Sequence, residues 1–158
     1  MTKTEFSGRT IARGYRIAIV VSRFNDLISK ELLRGALLEL DRHTEKECDV
    51  RIYWVPGSFE VAGTVARLLE KGEFDGILAL GCLIQGETDH YRLLATEITK
   101  GLSNLSIKNS IPIGFGVLTV SSLEDALERA GTKAGNKGGE AMVSLLEMID
   151  LYKKIREK

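Results

Sequence analysis

Apolar and polar positions alternate between two rhythms along this chain. Short apolar runs at residues 16–21 (RIAIVV) and 76–80 (GILAL) are nearly continuous, the form of parallel strands buried on both faces. A second strand is expected at 48–55, stopped by Pro56-Gly57, and a fourth at 112–120, with Pro112 at its first residue, where proline is tolerated. Between the runs the spacing becomes helical. Ile28, Leu32, Leu33, Ala36 and Leu40 share one face, closed by Asp41-Arg42-His43. Phe59, Ala62, Val65, Ala66 and Leu69 share another, with Ser58 as the expected cap. Tyr91, Leu94, Ile98, Leu102 and Leu105 form a third. Ser122 caps a short helix to Ala130; the run 131–139 (GTKAGNKGG) then leads to a last helix striped by Ala141, Leu145, Met148, Ile149 and Tyr152.

The order β-α-β-α-β-α-β-α-α predicts an α/β fold: a central four-stranded parallel sheet with helices on both faces. One domain is expected over 15–158, ending in a charged tail that frays. Residues 1–14 read as an arm or edge strand outside the core, with a strand signal near Glu5-Phe6. The last helix shows more apolar surface than four strands need, which points to an oligomer.

Composition changes this picture mainly by exclusion. Lys+Arg and Asp+Glu number 22 each, so the formal net charge is zero, which gives no support to nucleic acid or an acidic membrane as partner. No apolar run approaches the roughly 20 residues of a membrane-spanning helix. The N-terminus has no signal-peptide pattern, and the two cysteines, Cys48 and Cys82, make no disulfide framework. Both are expected reduced in a cytoplasmic protein. Two histidines and two cysteines, widely spread, argue against a metal centre.

The chemistry gathers where strands end. Residues 81–91 (GCLIQGETDHY) run from the third strand into the third helix, so Thr88, Asp89 and His90 sit at a strand-to-helix junction. In α/β sheets that edge binds ligands, and a helix start offers free N–H groups to an anion. The loops SRFN (22–25), VPGSFE (55–60) and CLIQGETDH (82–90) share this edge. Phe24, Phe59, Glu60, Thr88 and His90 on these loops suit a flat heterocycle, with His90 able to move protons. Each also has a plain structural reading. Phe24 packs under its loop; Glu60 is a first-turn acid favoured by the dipole; His43 is a surface histidine at a helix C-terminus. Arg129 is the i+4 partner of Asp125, and Lys133 and Lys137 are solvated charges. The glycine-rich run offers backbone donors to an anion but lacks Walker A spacing. Cys82 with His90 raises a thiol nucleophile and its base, against a small buried thiol.

Five motifs carry a resemblance: SRFN (22–25), VPGSFE (55–60), GETDHY (86–91), FGVLT (115–119) and ERAGTKAGNKG (128–138). In order and spacing, over about 16–152, the chain resembles the lumazine synthase family, which makes 6,7-dimethyl-8-ribityllumazine in the penultimate step of riboflavin biosynthesis. The resemblance implies a flavodoxin-like three-layer α/β/α sandwich and no cofactor. It implies two small-molecule substrates, 5-amino-6-(D-ribitylamino)uracil and 3,4-dihydroxy-2-butanone 4-phosphate, with phosphate and water released. Phe24 matches the pyrimidine-stacking aromatic. Ser58, Phe59 and Glu60 match the segment holding the ribityl chain and ring. Cys82, Leu83 and Ile84 match a segment that contacts the pyrimidine largely through backbone, although a thiol departs from the family pattern. Glu87 and Thr88 match the loop at the butanone phosphate, Arg129 its phosphate-binding arginine, and His90 the proton-transfer histidine. Phe115, Arg129 and Lys137 match residues lent by a neighbouring subunit. Pentamers are implied, and the uninterrupted GTKAGNKGG resembles members that close into icosahedral shells. Two alternatives share the sheet: a silent shell-forming scaffold and an FMN-binding flavodoxin-like protein. SRFN is not the Ser/Thr/Gly-rich phosphate loop that the latter needs.

Overall fold

The computed structural model describes residues 1–133 and 135–158; Ala134, within the glycine-rich run, lies outside them. A parallel sheet of four strands forms the centre: β2 (Arg16–Ser22), β4 (Asp49–Val55), β5 (Gly76–Ile84) and β6 (Ile113–Val120), in spatial order β4-β2-β5-β6. The helices are α1 (Asp26–His43), α2 (Phe59–Lys71), α3 (His90–Lys108), α4 (Leu123–Arg129) and α5 (Lys137–Arg156). This is the expected flavodoxin-like sandwich, in the order the sequence predicts.

The continuous apolar run of β2 is explained by burial on both faces. Ile17, Ile19 and Val21 meet Leu32, Ala36, Leu145 and Ile149 in the layer of α1 and α5. Ala18 and Val20 meet Val61, Val65, Ile98 and Leu102 in the layer of α2 and α3. Alternate side chains of a strand point to opposite faces, so a central strand between two helical layers has no polar face. The connection from β4 to β5 passes over β2. Chain paths therefore leave β2 and β5 in opposite directions, which opens a crevice at their C-terminal ends.

Several expectations are corrected. The arm does not form a strand at Glu5-Phe6. Instead β1 (Ala12–Arg13) pairs in parallel with β3 (Thr44–Lys46), and Ala12 and Tyr15 are buried in the core. Before them the arm lies along α5, with the Arg9 N–H on the Asp150 carboxylate at 2.7 Å and Lys154 on the Ser7 carbonyl at 2.9 Å. β5 runs past Leu80 to Ile84 because β6 supplies partners as far as Val120. α5 starts at Lys137, so the last residues of GTKAGNKGG are its first turn.

Most of the α5 stripe is not spare surface: Ala141, Leu145 and Ile149 are buried within the chain, with Met142 and Leu146 beside them, while Met148 and Tyr152 are half-buried. Apolar surface is exposed elsewhere, at Ile52 and Trp54 of β4 and at Phe115 of β6. Among the described residues, neither of these edge strands pairs with a further strand on its outer side.

Candidate active site

The loop after β2 is fixed to both neighbouring strands. The N–H groups of Arg23 and Phe24 donate to the carbonyls of Val55 and Pro56 at 2.8 and 3.2 Å, continuing the β2–β4 pairing beyond the strands. Asn25 takes a left-handed conformation, φ 60° and ψ 50°, which asparagine tolerates better than most residues. Its side-chain amide donates to the Cys82 carbonyl at 2.9 Å, tying the loop to β5. Phe24 is thereby held at the crevice with 66% of its surface exposed.

Around it lies a cleft of about 340 Å³ lined by Phe24, Gly57, Ser58, Phe59, Leu83, Ile84, Gly86, Thr88, His90, Tyr91 and Leu94. His90 is the first residue of α3, and the helix presents its N-terminal N–H groups here. Ser58 does not cap α2. Its backbone is already helical, and its hydroxyl is buried with no hydrogen bond among the described residues. A buried hydroxyl without a partner is uncommon and calls for one. Gly81 makes room for it: a Cβ there would stand 3.3 Å from the Ser58 oxygen. The α2 start is closed instead by Glu60, whose carboxylate accepts the Gly57 N–H at 3.1 Å. Glu60 and Glu87 are exposed at this edge without lining the cleft.

Cys82 is not in the cleft. Its side chain faces the α1–α5 layer, fully buried, and burial pushes its thiol up to about 11. A nucleophilic cysteine needs the opposite shift, so the thiol reading loses its basis. His43 proves to be the surface histidine expected, its Nδ1 at 2.7 Å from the Glu39 carbonyl.

The remaining predicted residues gather elsewhere. A second cleft, about 370 Å³, is lined by 115–120 of β6 and by Arg129, Lys137, Glu140, Ala141 and Ser144. Arg129 ends α4 and pairs with the Asp125 carboxylate, as its i+4 spacing predicts. Lys137 opens α5 and meets Glu140 at 2.8 Å. Lys133 is exposed, with Glu128 at 3.9 Å. The two clefts share no lining residue. One chain thus holds an aromatic cleft with a histidine and, apart from it, a cleft with two cations, each paired with a carboxylate of its own helix. A larger hollow of about 580 Å³ between α1 and the start of α5 has no aromatic or histidine in its lining.

The family model described as 6,7-dimethyl-8-ribityllumazine synthase matches residues 14–153, nearly the whole chain. The chain belongs to this family. Lumazine synthases are transferases of riboflavin biosynthesis acting on two small molecules, and both clefts fall inside the matched span. No helix among the described residues is long and apolar enough to cross a membrane. Two positions whose side chains fix the loops beside these clefts carry no role in the sequence reading, Asn25 and Asn136. Each stands directly before an apolar helical pattern, a position asparagine favours, and that was the available signal.

Proposed function

We propose that this chain condenses 5-amino-6-(D-ribitylamino)uracil with 3,4-dihydroxy-2-butanone 4-phosphate to give 6,7-dimethyl-8-ribityllumazine, in the cytoplasm, as the penultimate step of riboflavin biosynthesis. The observation that carries the reading is the division of the site residues between two clefts of complementary chemistry. The aromatic cleft takes the pyrimidine, with Phe24 on its ring and Ser58 and Phe59 along the ring and ribityl chain, which Glu60 meets from the exposed rim outside the cleft. The backbone of 82–84 lies at its edge. Glu87, Thr88 and the α3 start approach the phosphate from one side. Phe115, Arg129 and Lys137 of a neighbouring subunit complete the site from the other.

The residues suit the chemistry. The pyrimidine 5-amino group attacks the ketone, and the carbinolamine loses water. Phosphate is eliminated across the adjacent carbons. The enol so formed tautomerises to a ketone, and the ribitylamino nitrogen closes the second ring onto that new carbonyl and expels a second water. His90 moves protons in these steps. Arg129, Lys137 and the α3 start offset charge on the departing phosphate. Holding two reactive partners together supplies much of the acceleration.

A head-to-tail ring, a pentamer, gives each aromatic cleft the second cleft of its neighbour, and among free pentamers, decamers and icosahedral shells the uninterrupted GTKAGNKGG favours the shell. Exposed apolar residues on both edge strands support contacts of this sort. The arm, 1–14, and the single domain, 15–158, act as one unit in this assembly. The test is direct: purified protein is mixed with the two substrates, and the lumazine chromophore is followed by absorbance. Product formation supports the reading; its absence from an assembled protein overturns it.

A further inference from the structure

The two cations of the second cleft stand on different helices. Arg129 is the last residue of α4 and Lys137 the first of α5. The turn between them therefore sets their spacing. Asn136 closes that turn with its whole amide. Its Nδ2 donates to the Ala130 carbonyl at 3.0 Å and to the Glu31 carbonyl of α1 at 2.8 Å. Its Oδ1 accepts the Gly139 N–H at 3.1 Å. Ala130 and Asn136 also form an antiparallel bridge. Ala130 directly follows Arg129, and Asn136 directly precedes Lys137.

Capping α5 needs only the oxygen, and serine would serve as well. The two N–H donors are surplus to that task. They bind the end of α4 and the middle of α1, which packs on the sheet through Leu32 and Ala36. Gly35 of α1 admits the amide: any Cβ there would overlap the Asn136 side chain. The bracket is thus built from both sides.

We propose that Asn136 is a positioning residue, fixing Arg129 and Lys137 at the spacing that grips the phosphate. It touches no substrate itself. The proposal rests on the reading of the second cleft as the phosphate half of the site.

Asn136→Ser separates the two tasks, since it keeps an acceptor for the Gly139 N–H and removes both donors. We expect an assembled protein whose thermal midpoint falls by only a few degrees, since two hydrogen bonds are lost and the cap is kept. Its KM for the butanone phosphate should rise about ten- to a hundredfold, as misplaced binding groups cost. The KM for the pyrimidine should stay unchanged, and inorganic phosphate, titrated by calorimetry, should bind more weakly by the same factor. Gly35→Ala keeps the asparagine but places a methyl where its amide lies, so the amide must move off its carbonyl partners; it should show the same split, and it decides the matter if Asn136→Ser fails to assemble. Unchanged use of the butanone phosphate, or equal damage to both substrates, overturns the proposal. Phosphate binding keeps the two readings apart. A wild-type protein whose phosphate binding is weakened by Asn136→Ser but that makes no lumazine supports the positioning and overturns the reaction.

Discussion

Replacing Arg129 by alanine removes the guanidinium from the second cleft and leaves Asp125 behind. The structure sets the two consequences at different sizes. The Arg129–Asp125 pair spans one turn of α4, with the two side chains 39% and 29% exposed. Such a pair contributes at most about 1 kcal/mol to stability. The melting temperature should therefore fall by no more than about 4 °C. A charge-assisted contact to a phosphate is worth about 1.5–3 kcal/mol. At 1.36 kcal/mol per decade, its loss should raise the KM for the butanone phosphate roughly ten- to a hundredfold. The unpaired Asp125 carboxylate adds repulsion, so Arg129→Ala with Asp125→Ala should recover part of the loss. Steady-state kinetics varying each substrate in turn provides the assay. Equal damage to both apparent affinities, or damage confined to the pyrimidine, would refute the assignment of the second cleft to the phosphate.

His90→Ala should slow turnover by about 100-fold or less, because the substrates are reactive and water can replace a proton shuttle. Total loss in an assembled protein would give His90 some other task. Cys82→Ala should leave the pH profile of turnover unchanged, and a thiol reagent at pH 8 should label Cys48, which is partly exposed, well before Cys82. The Cys82 thiol is raised to about 11 against an ordinary value of 9.0, so between those pH values the folded state holds a proton that the unfolded state has lost. Stability from this group is therefore level below pH 9 and falls as pH rises towards 11. Denaturant titrations of wild type and Cys82→Ala over that range should diverge; parallel curves would place the thiol nearer to solvent.

Much of this architecture was legible because burial on two faces leaves a plain mark. RIAIVV and GILAL have no polar side, and only a central parallel strand needs that. The loops at the crevice were legible too, since Phe24, Phe59 and His90 stand out where strands end. Contacts distant in sequence were not. β5 extends to Ile84 only because β6 is there to pair with it. The β1–β3 pairing covers so few residues that no periodicity betrays it. Much of the α5 stripe reads as spare surface because nothing in its own pattern shows that Ala141, Leu145 and Ile149 are covered within the chain. Ser58 carries the signature of a cap, yet its helix start is closed by Glu60, and its hydroxyl is buried without a partner among the described residues. The division of the site residues between two clefts follows the order of elements, since Phe24 and His90 stand at one sheet edge while Arg129 and Lys137 flank the junction of the last two helices.

The central claim is that each site is built from two subunits, and complementation tests it most directly. A His90→Ala subunit keeps Arg129, and an Arg129→Ala subunit keeps His90. The two purified variants would be dissociated, mixed in equal amounts, reassembled and assayed beside unmixed controls, with mass spectrometry confirming mixed rings. Each site draws on two adjacent subunits, so random mixing should restore about a quarter of sites to wild-type turnover. Activity that only averages the two parents, in rings shown to be mixed, would mean that both residues act from one chain and would contradict the shared site.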